Sequence, residues 1–278
     1  MMQIISLGLG VQSTALYLMS SMGELPRADY AIFSDTGKEG KKTYDYLDFL
    51  LDWKEKNNGI PIVVLRDKNL YEDLLNPRPG SHFGSIPAFT KNPDTSIGML
   101  RRKCTSEYKI QVIHDYIRDH IYELPKGARR PVTATWQGIT LDEIERMSPP
   151  RSVWEVRVYP FLGHALHKNG TADSINWIKP MARNEVIQWY LLHGVSVPPK
   201  SSCVFCPYQS DRSWAMKKDH APEDFADAVK VDKAIRDSTR IGIHNPVYLH
   251  RSCLPLDEVV FDPAQDEEWG ECSGNCHI

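Results

Sequence analysis

Cysteines supply the most reactive side chains of this chain, and two of them stand close together. Cys203 and Cys206 form a Cys-x-x-Cys pair in the loop "SSCVFCPYQSDRSW". This spacing suits one edge of a metal or iron–sulfur site, or a redox dithiol. The other four cysteines are Cys104, Cys253, Cys272 and Cys276. In a chain of 278 residues without a signal-peptide pattern, six cysteines favour metal ligands, redox groups or core residues over a disulfide scaffold.

A second chemical pattern lies near the N-terminus, in "SLGLGVQSTALYLM". The apolar residues before it predict a short buried strand, and Gly8 and Gly10 permit a tight or left-handed backbone. Ser13 and Thr14 stand where a helix would begin. A strand, a glycine turn and a helix N-terminus together make an anion site, because free backbone N–H groups and the helix dipole face the ligand. An ordinary strand–helix turn without a ligand is the alternative.

Composition narrows the class of protein. A hydrophobic content of 41% and a charged content of 25% are typical of a globular enzyme. The net charge of −3 favours neither a general nucleic-acid binder nor a membrane-surface binder. The basic clusters at 101–103, 126–130 and 217–218 are interpreted as solvated faces, with contact to a nucleic-acid phosphate backbone as the alternative for the first two. No apolar run of membrane-spanning length occurs, so we expect a cytoplasmic protein without a membrane partner.

The pattern of apolar runs predicts the elements that would position these residues. Strands are predicted at 2–7, 29–34, 60–65 and 131–139, and helices at 13–22, 40–56, 104–123, 183–194 and 222–240. Alternation of this kind predicts an α/β fold, a doubly wound parallel sheet with helices on both faces. Three polar segments follow strands, at 6–14, 33–40 and 136–146, and ligands bind beyond the carboxyl ends of such strands.

The rest of the chain is less regular. Residues 76–98 are rich in Pro, Gly, Ser and Asn and are expected to form a long loop that closes over a substrate. Residues 147–176 are expected to be an irregular insertion, and the tail from 246 to be extended. We divide the chain into a nucleotide-binding α/β core at 1–150 and a helical or irregular region at 151–278, which carries the Cys-x-x-Cys pair and the cysteine tail and packs on the core.

Several segments, in this order, resemble one family. "GLGVQS" occupies the place of a loop that the family writes SGGxDS, and "SDTGKEGKKTYDYL" resembles its DTG segment. "RKCTSEYKI" and "GITLDEIER" resemble its cysteine-to-lysine and GIR segments. The chain thus resembles the adenine-nucleotide alpha-hydrolases, or PP-loop ATP pyrophosphatases, and within them the PAPS-reductase-like group, including its phage-type members. It departs from the pattern at Gln12 (aspartate in the family), at Thr140 (arginine) and at Thr105 (the second of two tandem cysteines).

The resemblance implies a Rossmann-like, HUP-type fold that binds ATP or a related adenine nucleotide together with Mg²⁺. The residues that it assigns to the nucleotide are Ser6, Gly8, Gly10, Gln12, Ser13, Thr14, Asp35, Thr36, Gly37 and Gly138. It assigns charge stabilisation at the phosphates to Lys109 and Arg146, for which a solvated helix face is the alternative. Asp35 would hold the metal or the ribose, or cap a helix.

The resemblance also gives the cysteines a role. Cys104, Cys203 and Cys206 match a [4Fe-4S] ligand set. Cys276 or Cys272 would complete it, or the fourth iron would stay open and carry a sulfide; structural Zn²⁺ or free thiols are the alternatives. His193 and His250 are possible substitutes as zinc ligands. Cys272 in "GECSG" also resembles the nucleophilic cysteine of sulfonucleotide reductases. Cys253 is interpreted as a structural thiol.

Three functions follow from these patterns. The first is ATP-dependent adenylation and sulfur transfer to a tRNA, DNA or small-molecule acceptor, with a separate sulfur donor. The second is a sulfonucleotide (adenylyl or phosphoadenylyl sulfate) reductase that uses a thioredoxin-like reductant. The third is a nucleotide-binding module without turnover, which the altered glycine loop would allow. A homodimer is compatible with each of them.

Overall fold

The computed structural model describes residues 1–76, 86–177, 179–236 and 245–264. Its strands, in chain order, are β1 (Met2–Ser6), β2 (Tyr30–Ser34), β3 (Ile62–Leu65), β4 (Phe89–Lys91), β5 (Ile97–Met99), β6 (Thr133–Trp136), β7 (Glu155–Tyr159), β8 (His164–Leu166), β9 (Ala172–Ser174) and β10 (Val247–Tyr248). Its α-helices are α1 (Val11–Ser21), α2 (Lys41–Lys56), α3 (Leu70–Leu75), α4 (Gln111–Tyr116), α5 (Arg183–Leu192), α6 (Asp211–His220) and α7 (Pro222–Arg236). Two π-helical segments, Thr105–Ile110 and Ile117–Ile121, flank α4, and a 3₁₀ helix spans Leu141–Arg146.

A seven-stranded sheet forms the centre of the fold, in the order β3-β2-β1-β6-β7-β8-β9. The five strands from β3 to β7 are parallel, and β8 and β9 continue the sheet as antiparallel strands. The chain crosses from β1 to β2 and β3 on one side and places β6 and β7 on the other. The strand order therefore reverses between β1 and β6, which is where such sheets bind ligands.

Helices cover both faces of this sheet, because the strands are apolar on both sides. On one face, Leu16, Leu50 and Tyr190 bring α1, α2 and α5 against Ile5 and Phe33. On the other face, Val112, Ile113 and Ile117 pack on Ile4 and Ile32. The predicted α/β architecture with a mostly parallel, Rossmann-like sheet is confirmed at this level.

A second apolar cluster lies beside the sheet. It joins α3, α6 and α7 to the three-stranded sheet β10-β4-β5, with Leu70, Phe205, Trp214 and Val231 fully buried. The Cys-x-x-Cys loop packs into this cluster through Val204 and Phe205. The cluster therefore fixes the cysteine loop against the end of the central sheet.

Most predicted elements are present, and one expectation is wrong. Residues 147–176 contain β7, β8 and β9 rather than an irregular insertion. The boundary proposed at residue 150 falls between β6 and β7, which are neighbouring strands of one sheet; the division itself stays a prediction. Part of the predicted loop at 76–98 lies outside the described residues, and its described end forms the hairpin of β4 and β5. Within the described ranges, no helix is long and apolar enough to cross a membrane.

Candidate functional site

The glycine loop turns sharply between β1 and α1. Leu9 adopts a left-handed backbone with φ of 56°, and Gly10 caps the helix without a side-chain hydrogen bond. The Gly8 N–H donates to Ser13 Oγ at 3.0 Å, and the Thr14 N–H donates to the Gly10 carbonyl at 3.1 Å. The helix begins at Val11, so Ser13 and Thr14 lie inside its first turn rather than at its start.

Gly138 brings the end of β6 against this loop. A Cβ atom at Gly138 would lie 2.6 Å from the Ser13 nitrogen and 2.9 Å from the Gln12 carbonyl carbon. Backbone cannot move away as a flexible side chain can, so the approach requires glycine. The structure thus brings together the predicted residues of the glycine loop and Gly138, at the reversal point of the sheet.

Gln12, which stands where the family has aspartate, is held by two side chains that the sequence did not single out. Its amide donates to Glu143 Oε2 at 3.1 Å, and its carbonyl accepts from Arg183 Nη1 at 3.0 Å. Arg146 pairs with the other oxygen of Glu143 at 2.6 Å. Burial raises the pKa of Glu143 even though Arg146 and Arg183 oppose that shift. Arg146 is therefore linked to the glycine loop indirectly, because Glu143 contacts both Arg146 and Gln12.

Asp35 lies at the end of β2 and lines a separate pocket of about 350 Å³. Its Oδ1 accepts from the Gly37 N–H at 2.8 Å and from the Tyr44 hydroxyl at 2.9 Å, and its Oδ2 faces Arg66 at 3.2 Å. Gly37 has φ of 94°, and a Cβ there would lie 2.0 Å from Asn69 Oδ1. The pocket is lined by Asp35, Gly37, Lys38, Tyr44, Arg66, Lys68 and Asn69.

Three of the predicted cysteines line one small cavity. Cys104, Cys203 and Cys206 are half-buried around a space of about 20 Å³, which has room for roughly one water molecule. A turn joins two of them, with the Cys206 N–H donating to the Cys203 carbonyl at 3.0 Å. Burial raises the pKa of all three thiols, that of Cys206 to about 11. The thiols are therefore protonated near neutral pH in this arrangement.

A buried ion pair adjoins the thiols. Lys109 Nζ lies 3.6 Å from Glu39 Oε1, and both side chains are almost fully buried. Burial is the largest single influence and would lower the pKa of Lys109, but the Glu39 carboxylate and the sulfurs of Cys203, Cys104 and Cys206 together outweigh it, and the pKa is raised. Thr36 lies between the pair and the thiols: it donates to Glu39 at 3.2 Å, and its hydroxyl is 3.0 Å from Cys203 Sγ. This position favours a role for Lys109 at sulfur rather than at the glycine loop.

Lys217 is a second lysine beside the thiols, and the prediction that it belongs to a solvated face is wrong. From α6 its ammonium turns inward and donates to the Val204 carbonyl and to Gln209 Oε1. It also lies 4.7 Å from the centroid of the Trp214 ring. Burial lowers the pKa of Lys217 to about 8. Only its spacing from Trp214, three residues along a helix, could have indicated an inward orientation.

The thiols fit a sulfur-liganded metal group by their chemistry. Thiolates are the ligands of iron–sulfur clusters and of structural zinc, and a nearby lysine favours the thiolate form. Within the described ranges, however, no three His, Cys, Asp or Glu side chains are close enough to hold one metal ion. A bound group would require the lining side chains to move apart, since the cavity is small.

The remaining candidates lie elsewhere. Cys272 and Cys276 fall outside the described residues. His193 pairs with Glu24 at 3.1 Å and His250 with Asp211 at 3.2 Å, and neither lines the thiol cavity. Cys253 is buried and also lies outside that cavity, as a structural thiol would.

Comparison of the chain with protein-family models, with curated proteins and with solved structures finds no match. Three places in the described residues carry candidate chemistry: the crevice between the ends of β1 and β6, the pocket at the ends of β2 and β3, and the thiol cavity.

Proposed function

We propose that this chain is an adenine-nucleotide-binding enzyme that activates an acceptor with ATP and transfers sulfur through its thiol site. One observation carries the proposal: the loop after β2 contacts the thiol loop directly. The Val204 N–H donates to the Lys38 carbonyl at 3.0 Å, and Thr36 contacts Cys203. Because β2 is the neighbour of β1, the thiols lie at the same edge of the sheet as the glycine loop.

The crevice at the glycine loop would take the nucleotide phosphates. The N–H groups of the first turn of α1 would donate to phosphate oxygens, and the helix dipole favours negative charge there. The side chains of Arg146 and Arg183, already held near Gln12 and Glu143, would exchange partners to offset the charge of the leaving pyrophosphate. Mg²⁺ would supply further charge neutralisation when bound.

The chemistry would then proceed in two displacements. An acceptor oxygen attacks the α-phosphorus of ATP and pyrophosphate leaves; a sulfur nucleophile from the donor then displaces AMP from the adenylylated acceptor. Cys104, Cys203 and Cys206 would hold a [4Fe-4S] cluster, or Zn²⁺ in the structural alternative, with Cys276 as a further ligand. A cluster would bind or deliver the sulfur. Lys109 and Lys217 would offset the negative charge of the thiolates by their own positive charge.

The test is product analysis with anaerobically purified protein and radiolabelled ATP. We expect AMP and pyrophosphate in equal amounts, dependent on an acceptor such as bulk tRNA or DNA. Ser13→Ala removes the hydroxyl that accepts from Gly8 and should lower the rate, whereas Ser96→Ala, in an exposed turn, serves as the matched control. ADP with inorganic phosphate would contradict the proposal. Sulfite and AMP from adenylyl sulfate with reduced thioredoxin would favour the reductase.

A nucleotide-binding module without turnover is the second candidate, and the state of Gln12 favours it. Residue 12 is an amide where the family has a carboxylate, and its nitrogen and oxygen already have partners in Glu143 and Arg183, so this side chain is not available for a metal ion. This candidate predicts that ATP binds with no cleavage product under any acceptor, and that Ser13→Ala lowers the affinity alone.

A further inference from the structure

A serine, a histidine and an aspartate form one hydrogen-bonded row beside the second apolar cluster. The Ser252 hydroxyl lies 2.8 Å from His250 Nδ1, and His250 Nε2 lies 3.2 Å from Asp211 Oδ1. None of the three lines the thiol cavity or the pocket at the ends of β2 and β3. We propose that this row is a catalytic triad that hydrolyses small carboxylic esters. The activity goes beyond the proposed function and does not depend on it.

Two distant segments of the chain bring the row together. Asp211 is the first residue of α6, whereas His250 and Ser252 lie in the turn that follows β10. Asp211 and His250 are buried, with exposed fractions of 6% and 5%, while Ser252 is exposed. Cys253 has a left-handed backbone with φ of 52°, so the chain turns directly after the serine. The row therefore presents its hydroxyl to solvent and keeps the other two side chains inside the protein.

The hydrogen-bond contacts place the proton of the His250 ring. The Ser252 N–H donates to Nδ1 at 3.2 Å, and because a backbone N–H can only donate, Nδ1 carries no proton. The proton of the neutral ring therefore lies on Nε2, where it donates to Asp211. The Ser252 hydroxyl must then donate to Nδ1 as well, which is the arrangement of a nucleophile and its general base.

Asp211 acts in this row as a positioning residue. Its Oδ2 accepts from the Asp262 N–H at 3.1 Å, and its Oδ1 lies 3.1 Å from Arg251 Nη2. These contacts fix the carboxylate that orients the imidazole ring. Burial lowers the pKa of His250, and Arg251 adds to this shift while Asp211 opposes it. The ring is therefore neutral near pH 7 and can accept a proton.

The reaction would pass through an acyl-enzyme. Ser252 Oγ attacks the carbonyl carbon of the ester, and its proton passes to His250 Nδ1. Because Nδ1 then no longer accepts from the Ser252 N–H, that N–H can donate to the oxyanion, and the Arg251 guanidinium adds positive charge nearby. The bond to the leaving alcohol breaks as His250 returns the proton to the alcohol oxygen. Water, with His250 as base, then releases the carboxylic acid and restores the serine.

The surroundings of Ser252 indicate the class of ester. The hydroxyl is exposed, so an unhindered ester can approach it from solvent. Leu254, two residues further on, is 48% exposed, and the Phe261 ring packs edge-on against the His250 ring with centroids 5.7 Å apart. These apolar side chains suit a short acyl chain, such as an acetyl or butyryl group.

The experiment treats the full chain with a fluorophosphonate, from which an activated serine displaces fluoride and becomes phosphonylated. Tandem mass spectrometry locates the label, and p-nitrophenyl acetate measures ester hydrolysis. We expect the label on Ser252 alone, and p-nitrophenol release that labelling abolishes. Ser252→Ala should remove both signals, whereas Ser96→Ala, in an exposed turn, should retain them.

Two further variants test the base and the positioning residue. His250→Gln can still accept from and donate to its neighbours but cannot take the serine proton, so labelling should slow by at least about a hundredfold. Asp211→Asn keeps an acceptor for the Asp262 N–H but loses the charge; kcat for p-nitrophenyl acetate should fall about a hundredfold with KM unchanged. Thermal unfolding checks that each variant is folded. A purely structural role would change the unfolding temperature and leave kcat unchanged.

The outcomes are distinct from those of the ATP experiment. A folded wild type that takes no label overturns the triad, as does a label spread over several serines. Equal labelling rates in the wild type and His250→Gln also overturn it, because the row is then only a hydrogen-bonded turn. Absence of ATP cleavage in the same preparation would contradict the proposed function and leave the triad untouched.

Discussion

The crevice at the glycine loop and the thiol cavity lie at one edge of the sheet, but the polar side chains in the two places differ in how they are stabilised. In the crevice, Gln12, Glu143 and Arg183 already satisfy one another. In the thiol cavity, burial raises the thiol pKa values and lowers that of Lys217. A ligand at the crevice need only exchange existing partners. A metal ion or cluster in the thiol cavity would cause the thiols to lose their protons and would then be bound by the resulting thiolates. Binding is therefore expected to have a larger energetic effect in the cavity than in the crevice.

The largest expected effect is at the buried ion pair of the thiol cavity. Lys109→Met leaves the Glu39 carboxylate buried without its cation, which should lower the free energy of unfolding by about 3–5 kcal/mol. Urea denaturation measures the loss. The double variant with Glu39→Gln should recover part of it, because no uncompensated charge remains. A Lys109→Met variant as stable as the wild type would show that the pair is not buried as described.

The corresponding substitution in the crevice should cost less free energy of unfolding, and its cost is steric. Gly138→Ala places a Cβ 2.6 Å from the Ser13 nitrogen, so the end of β6 or the start of α1 must shift, at a cost of about 1–3 kcal/mol. Gly10→Ala is the matched control, since nothing lies within 4 Å of its Cβ and its φ is −93°. The same denaturation series compares them. Equal costs for the two substitutions would contradict the close approach.

Lys217 gives the cavity a pH dependence on the alkaline side. The folded state releases the Lys217 proton near pH 8, whereas the unfolded state keeps it until about 10.5. The burial cost is therefore present in full below pH 8 and is relieved as the pH rises through this window. The stability of the wild type relative to Lys217→Met should increase by up to about 1.4 kcal/mol per pH unit above pH 8. A flat difference between pH 7 and 10 would show that the ammonium is solvated.

The smallest effect is expected at Gln12. Gln12→Glu sets a second carboxylate against Glu143 but keeps an acceptor for Arg183, so the cost should be about 1 kcal/mol at neutral pH. Because the pKa of Glu143 is raised, its protonation at mildly acidic pH should remove the repulsion. Gln12→Met, which loses the hydrogen bonds without adding charge, should show no such recovery. Denaturation at two pH values distinguishes the variants.

Local patterns were sufficient to predict the alternating strands and helices, because each segment carries its own apolar periodicity. They failed at β7, where "EVRVY" buries Glu155 and Arg157 as well as its valines. They also failed at β8 and β9, which are only three residues long each and are separated by turn residues. Polar residues buried by one another in a sheet leave no apolar signal.

The candidate site likewise contains some features that the sequence predicts and others that only the folded chain reveals. Glycine loops and Cys-x-x-Cys spacing are local and were visible in the sequence. The contacts of Gln12 with Arg183 and of Thr36 with Cys203 span 171 and 167 residues, so only the folded chain reveals them. The inward turn of Lys217 depends on Val204 and Gln209, which belong to the loop before α6.

The most direct test of the proposed function is the iron, zinc and acid-labile sulfide content of the anaerobically purified full chain, compared with the Cys203→Ala/Cys206→Ala variant and with Cys253→Ala as control. We predict about four irons and four sulfides per chain, lost in the double variant and retained in the control. About one zinc and no iron would make the thiols structural and remove sulfur delivery from the proposal. Neither metal in the wild type would contradict the assignment of these cysteines as a metal site.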